Sequence, residues 1–408
     1  MMKRREIIKY FSLAPIAGAV AGTGVPFNSV SAAPALLGKR DLIKELGLRT
    51  FINAYGVYTT HTASLMTDEV LQAINATSKH YVLYNDLQDK VGEKIAAMCH
   101  AEAAMVTSGC WSALVLGTAG VLTGMDRKKV AQLPDVSDFE KNEVILQSTH
   151  SGSYDHALTN TGIKRVFVET VEELERAITS RTAMMWYYNE AAPWGKIGHA
   201  EWLAIAKKHK IPAMVDIAAD VPPVENLWKF NEMGYDLVCV SGGKAIRGPQ
   251  SAGFLMGRKD LIAAARLSGP PGGGNIGRGM KVNKEEIFGM YAALDRFVNL
   301  DQGKEWKMWE DRAHVILDAV TKVKGVKGEI FVPPIANVTP TLRISWDQSV
   351  IKLTTREMTA NLRNGEPSIE APKSLNDAMI LSVWMMQPGE EKIVARRFKE
   401  ELIKASVI

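Results

Sequence analysis

The chain reads as an α/β protein with a mainly parallel sheet, helices on both faces and a second, smaller lobe. Three observations carry this. Over residues 84–295, short apolar runs alternate with helix-like segments, as in repeated βα units. The runs at residues 103–107, 144–147, 213–216 and 237–240 are short and apolar, the length of buried strands. A chain of 408 residues with 46% hydrophobic content can also bury a large core in two lobes.

The elements follow in order. Residues 41–46 begin a short helix, and residues 51–58 form an arm or strand. Thr67 caps a helix over 67–79, with Asp68 and Glu69 in its first turn facing the positive end of the dipole. The strand at 103–107 meets a Ser108-Gly109 turn that opens a helix. Strands at 144–147, 213–216 and 237–240 follow, and the glycine-rich stretch 270–274 marks a loop near the site. Residues 288–294 begin a long helix leading to the second lobe, where 341–346 is a strand and a charged helix ends the chain. The predicted organisation is an export signal (1–32), an arm and helix (33–84), a large domain (85–295) and a small C-terminal α/β domain (296–408). No internal repeat or low-complexity tail is present.

Chemistry is concentrated at Lys244. It follows the apolar run 237–240 and Ser241, on a turn bracketed by Gly242, Gly243 and Gly248. An ammonium there loses hydration, so such a lysine titrates low, pairs with something or is used covalently as a Schiff base. Upstream, Asp216 ends another apolar run. A surface lysine and a capping aspartate remain the plain alternative for either residue alone. Together, in this order, they match pyridoxal phosphate: the lysine holds it covalently and the carboxylate keeps its ring nitrogen protonated.

Two further segments agree. Thr107, Ser108, Gly109 and Cys110 join a strand to a helix start, where backbone N–H groups and hydroxyls make a phosphate cradle. The strand at 144–147 leads to His150, placing an imidazole at a strand's carboxyl end, where ligands collect in open α/β sheets. His150 is read as lying against the cofactor ring.

These motifs resemble the selenocysteine synthase-like group of fold-type I pyridoxal-phosphate enzymes, and within it the ammonia-lyases acting on amino sugar acids. The residues carrying this are Ile52-Asn53-Ala54, Thr107-Ser108-Gly109, Val215-Asp216, Ser241-Gly242-Gly243-Lys244, Gly248-Pro249-Gln250, Gly277-Arg278-Gly279 and Asn364-Gly365-Glu366-Pro367. The resemblance implies the fold-type I transferase architecture, a large, mainly parallel seven-stranded sheet with a smaller C-terminal domain. It implies pyridoxal 5'-phosphate, with Lys244 and Asp216 catalytic and Thr107, Ser108, Gly109, Cys110, His150 and Ser241 also binding the cofactor. Arg343 is implied to clamp a substrate carboxylate, with Arg278 and His61 lining the site, and a homodimer or higher oligomer is implied too. The implied activity is ammonia-lyase or dehydratase action on an amino acid or amino sugar acid, giving a 2-keto acid and ammonia. A racemase, aldolase or aminotransferase stays open, since all share one carbanion. A secreted binding protein on an inactive scaffold is disfavoured because Lys244 and Asp216 are intact.

The first residues speak to location. Lys3, Arg4, Arg5 and Lys9 precede an uncharged Ala- and Gly-rich stretch, and Val30-Ser31-Ala32 offers small residues for cleavage. This reads as twin-arginine export to the periplasm or outside. An uncleaved membrane anchor and ordinary secretory export stay open. A phosphorylated substrate would be rare there, so an unphosphorylated one is expected. With Glu6, those basic residues supply three of the four net positive charges, leaving about +1 on the mature protein. No basic patch argues for nucleic acid. Cys99, Cys110 and Cys239 form no disulfide framework and show no metal-ligand spacing.

Overall fold

The computed structural model describes residues 40–152, 154–372 and 377–407. The export signal expected over residues 1–32 lies outside them. Among the described residues no helix is long and apolar enough to cross a membrane. The chain divides into Met1–Thr50 and Phe51–Ile408. In the first, a helical turn at Leu42–Glu45 is capped by Asp41, whose carboxylate accepts from the Lys44 N–H.

The second unit is built on a seven-stranded sheet in the order β2-β8-β7-β6-β5-β3-β4. Its strands are β2 (Ala103–Thr107), β3 (Glu143–Gln147), β4 (Lys164–Val168), β5 (Thr182–Tyr188), β6 (Ala213–Asp216), β7 (Leu237–Ser241) and β8 (Gly253–Gly257). Strands β3 to β7 pair in parallel, and β8 runs antiparallel to both β2 and β7. The central strands are apolar without alternation because both faces are covered. Alternate residues feed two cores: Met185, Tyr187, Val215 and Val238 face one, and Met184, Trp186, Met214 and Leu237 the other.

The Gly109–Thr123 helix is apolar all round and buried along most of its length, as expected of a helix enclosed on both sides. It packs on the sheet and against the Lys259–Leu267 helix. Its N-terminus meets β8 so closely that a Cβ at Gly253 would lie 2.6 Å from the Val240 carbonyl oxygen and 2.9 Å from the Cys110 nitrogen. Gly253 pairs with Thr107 on one side and Ser241 on the other.

Two smaller sheets complete the unit. β9 (Val326–Phe331), β10 (Thr341–Trp346) and β12 (Met379–Ser382) are antiparallel in the order β12-β10-β9. β1 (Ile52–Asn53) pairs in parallel with β11 (Ile369–Glu370), so the arm reaches the C-terminal part of the fold. Two expectations change. The helix beginning near residue 288 is two helices, Lys284–Val298 and Gln302–Val320, because Asp301 caps a new start by accepting from the Lys304 N–H. Thr67 stands at the N-cap of Asp68–Ser78, but its buried hydroxyl makes no capping bond.

Overpacking at the Gly253 contact should be costly. Gly253→Ala is expected to lower the stability of the cofactor-free protein by about 1–3 kcal/mol, read by chemical denaturation. Wild-type stability in that variant would remove the close approach from the account.

Candidate active site

The strand order brings the carboxyl ends of β3, β5, β6 and β7 together beside the N-terminus of the Gly109–Thr123 helix. Asp216 ends β6 and is 2% exposed. The Ala218 N–H (2.9 Å) and the Cys110 thiol (3.5 Å) both donate to its Oδ1. Among the described residues nothing bonds Oδ2, which leaves that oxygen for a further donor. Burial raises the Asp216 carboxyl above its ordinary range, opposed by the Ala218 N–H and Lys244.

Lys244 lies three residues beyond the end of β7, in a loop closed by Gly248 N–H to Gly242 C=O and Arg247 N–H to Lys244 C=O. The arm holds this loop: the Ser64 hydroxyl donates to the Gly243 carbonyl (2.8 Å) and Arg247 Nε to the Leu65 carbonyl (2.7 Å). The Lys244 ammonium has no hydrogen-bond or ion-pair partner among the described residues, yet its charge lowers Asp216 and Asp220.

The turn before the helix is shaped for an anion. Gly109 has φ of 81°, a left-handed conformation that favours glycine. The first N–H groups of the 15-residue helix have no partner within it. The Thr107 hydroxyl donates to the Gly109 carbonyl, and the Ser108 and Ser112 hydroxyls lie 2.8 Å apart. Cys110 links this turn to Asp216. Its thiol is held neutral by a hydrogen-bonding contact with the free thiol of Cys239, by burial and by Asp216, which makes it a weak donor rather than a nucleophile.

His150 is buried. The Tyr188 backbone N–H donates to its Nδ1, and Nε2 lies 3.2 Å from the Gln147 amide nitrogen. Gln147 is fixed by both backbone groups of Ile197. Burial, with His199 nearby, pushes His150 down to about 4, so the ring is neutral at physiological pH. Tyr188 pairs with Asp216 in register, which links His150 to the carboxylate's strand.

The structure adds residues that the sequence reading missed. Tyr188 donates its hydroxyl to Glu190. Tyr154 and Glu190 both lie within electrostatic range of Asp216. Among the described residues no group forms a well-directed hydrogen bond with either carboxylate oxygen of the buried Asp220; burial pushes it up to about 7, opposed by the nearby Asn189 amide. The available signal was position: Tyr188-Asn189-Glu190 follows an apolar strand as Asp216 does.

Among the described residues, no contact joins Arg343, His61 or Arg278 to Asp216 or Lys244. Arg343 is not gathered with Asp216 and Lys244: it is exposed on β10, paired with Glu329 across the strand and over the Phe331 ring at 4.5 Å. The reason is the pleat, which turns Leu342 and Ile344 into the core and Arg343 outward. His61 stacks on Tyr55 at 4.3 Å and lies 3.5 Å from Glu370, on the arm. Arg278 is exposed on a turn, Ile276–Gly279, that packs against the Gly109–Thr123 helix.

These residues fit pyridoxal phosphate. The helix N-terminus with Ser108 and Gly109 suits a phosphate, Asp216 Oδ2 suits a protonated ring nitrogen, and Lys244 suits a covalent attachment.

The fold is the fold-type I architecture of pyridoxal-phosphate enzymes. A solved D-glucosaminate-6-phosphate ammonia-lyase superposes with a TM-score of 0.79 at 27% identity, over 90% of this chain and 99% of that one. The chain is similar to the Salmonella typhimurium D-glucosaminate-6-phosphate ammonia lyase, 28% identical over 373 residues, 88% of this chain and 97% of the relative. It is 26% identical over 376 residues to a Streptomyces 5'-C-glycyluridine monooxygenase-decarboxylase, covering 88% of this chain and 92% of that one. It also matches the Moorella thermoacetica L-seryl-tRNA(Sec) selenium transferase at 24%, over 87% and 82%. The likeness therefore runs to the selenocysteine synthase-like group. No family model matches the chain.

Asp220 gives a pH signature. Its folded value, about 7, lies above the ordinary 3.8, so its stabilising contribution is complete below about pH 4 and is lost as pH rises through 7. In the cofactor-free protein, Asp220→Asn is expected to gain stability relative to wild type between pH 4 and 8, by at most about 4 kcal/mol. A difference that stays flat over that range would show that the carboxyl is not held neutral.

Proposed function

We propose that this chain is a pyridoxal-phosphate-dependent ammonia-lyase acting on an amino acid or amino sugar acid with a leaving group at its β-carbon. The observation that carries this is a Lys244 ammonium within electrostatic range of a buried Asp216, with neither the ammonium nor Asp216 Oδ2 partnered among the described residues. Similarity to the Salmonella typhimurium lyase over 88% of the chain supports the reaction class.

When bound, pyridoxal phosphate supplies an electron-accepting ring that stabilises negative charge at the substrate's Cα. Asp216 Oδ2 would accept from the ring nitrogen and so hold a proton there. Lys244 would hold the group covalently, and its Nζ, once free, would be placed to take up the substrate's Cα proton and deliver it to the β-leaving group. Loss of that group and hydrolysis of the resulting enamine give the 2-keto acid and ammonia. Gly109 and Ser108 would anchor the phosphate at the helix N-terminus, and neutral His150 adds no charge to compete with Asp216.

A second reading is decarboxylation, favoured by the near-equal similarity to the Streptomyces monooxygenase-decarboxylase. The same base and carboxylate would serve it. Release of carbon dioxide with oxygen uptake, rather than ammonia and a 2-keto acid, would select it.

Protein reconstituted with pyridoxal phosphate is expected to show a visible band that borohydride bleaches. Lys244→Ala should abolish the borohydride-fixable adduct and lower ammonia release roughly a thousandfold or more. An adduct that persists in Lys244→Ala would sink the assignment.

The reading extends to export by the twin-arginine route, supported by Arg4-Arg5 and the uncharged stretch that follows. Residues 1–35 fused to a reporter should be exported, and Arg4→Lys with Arg5→Lys should block this. Export unaffected by the double change would point to the ordinary secretory path.

A further inference from the structure

A cavity of about 270 Å³ opens beside the Lys244 loop, with Ala245 in its wall. Three guanidinium groups line it: Arg247 from the loop, Arg296 near the end of the Lys284–Val298 helix, and Arg312 from the Gln302–Val320 helix. Trp309 and Trp384, edge to face at 6.1 Å, form part of its apolar wall.

Among the described residues, two of the three cations have no directly paired carboxylate. Arg312 is 8% exposed, and the hydrogen bond it makes among the described residues is a long one, 3.4 Å, to the Val383 carbonyl. Arg247 uses Nε on the Leu65 carbonyl, which leaves its two terminal nitrogens for another acceptor. Among the described residues neither has a carboxylate oxygen within 4.0 Å. Arg296 reaches Glu69 at 3.6 Å. Glu305 stands in the wall and acts through space on Arg247 and Arg312, as Glu391 and Glu390 do on Arg312 and Glu69 on Arg247, but none of these pairs directly with either guanidinium. Burial, and then Arg296 and Arg312, hold the Arg247 guanidinium below its ordinary range, the mark of like charges kept together.

Guanidinium forks bind phosphate and carboxylate oxygens in pairs, and an apolar wall strengthens each contact by lowering the local dielectric. We propose that this cavity is an oxyanion-binding site, for a phosphate or carboxylate group, separate from the cofactor-phosphate cradle at residues 107–110. The anion is either a free ion or a group carried on the substrate. The proposal stands on the cavity's residues and does not depend on which reaction the enzyme performs.

The test is calorimetric titration of the cofactor-loaded enzyme with inorganic phosphate, at ionic strength held constant with chloride. Loaded enzyme is used so that the cradle is already filled. Saturable binding at one site per chain is expected, weakened roughly tenfold or more in Arg296→Gln and in Arg312→Gln, with the cofactor's visible band unchanged. Arg296 is partly exposed, so its variant tests the site even if Arg312→Gln fails to fold. D-glucosaminate 6-phosphate displacing phosphate, where D-glucosaminate does not, would identify a substrate-borne group; displacement by neither would identify a free anion. Absence of saturable binding, or an unchanged Kd in Arg296→Gln, overturns the proposal, as when a partner subunit's carboxylate already fills the cavity.

Discussion

The site depends on one close approach, where β8 passes the start of the Gly109–Thr123 helix at Gly253. Because β8 runs antiparallel between β2 and β7, this single residue faces Thr107 on one side and Ser241 on the other. The turn for an anion and the loop bearing Lys244 therefore leave the sheet from neighbouring points. A side chain there would meet the Val240 carbonyl and the backbone at Gly109 and Cys110. With β6 the next strand after β7, Asp216 is the third member of the group by strand order alone.

Around that frame the electrostatics are set by burial more than by pairing. Asp216 and Asp220 are both raised because the interior disfavours their charged forms, and Glu190 adds to each shift. Lys244 is the countercharge acting on both. His150 and His199 are pushed down to about 4 by the same desolvation, so the imidazoles add no cations. Lys244 thus faces an acid-rich, poorly hydrated group in which a ring-nitrogen proton is well matched to Asp216.

The arginines divide along similar lines. Arg343 faces outward on a short antiparallel strand, where Glu329 and Phe331 already occupy its guanidinium. Arg247, Arg296 and Arg312 come from a loop and two successive helices and meet in one cavity where, among the described residues, only Arg296 is paired directly with a carboxylate. A solvated pair of the first kind contributes little, whereas desolvated cations of the second kind favour an anion.

The sequence by itself determined four of the seven sheet strands, the helix start after Ser108, the placing of Lys244 and Asp216 at strand ends, and the absence of cysteine spacing for a disulfide framework. These are local properties: a buried strand needs an apolar run, and a strand-end turn needs glycine. The sequence could not show which way Arg343 points, because a strand residue's face depends on which neighbours cover the sheet. It could not show that Glu190 acts on Asp216 and Asp216 on Asp220, since that follows from β5 lying next to β6 and from burial. Nor could it bring Arg247 to Arg296 and Arg312, because their meeting depends on how the helices pack around the Lys244 loop. Strand order and packing are long-range outcomes, and they alone decided which charges share one low-dielectric space.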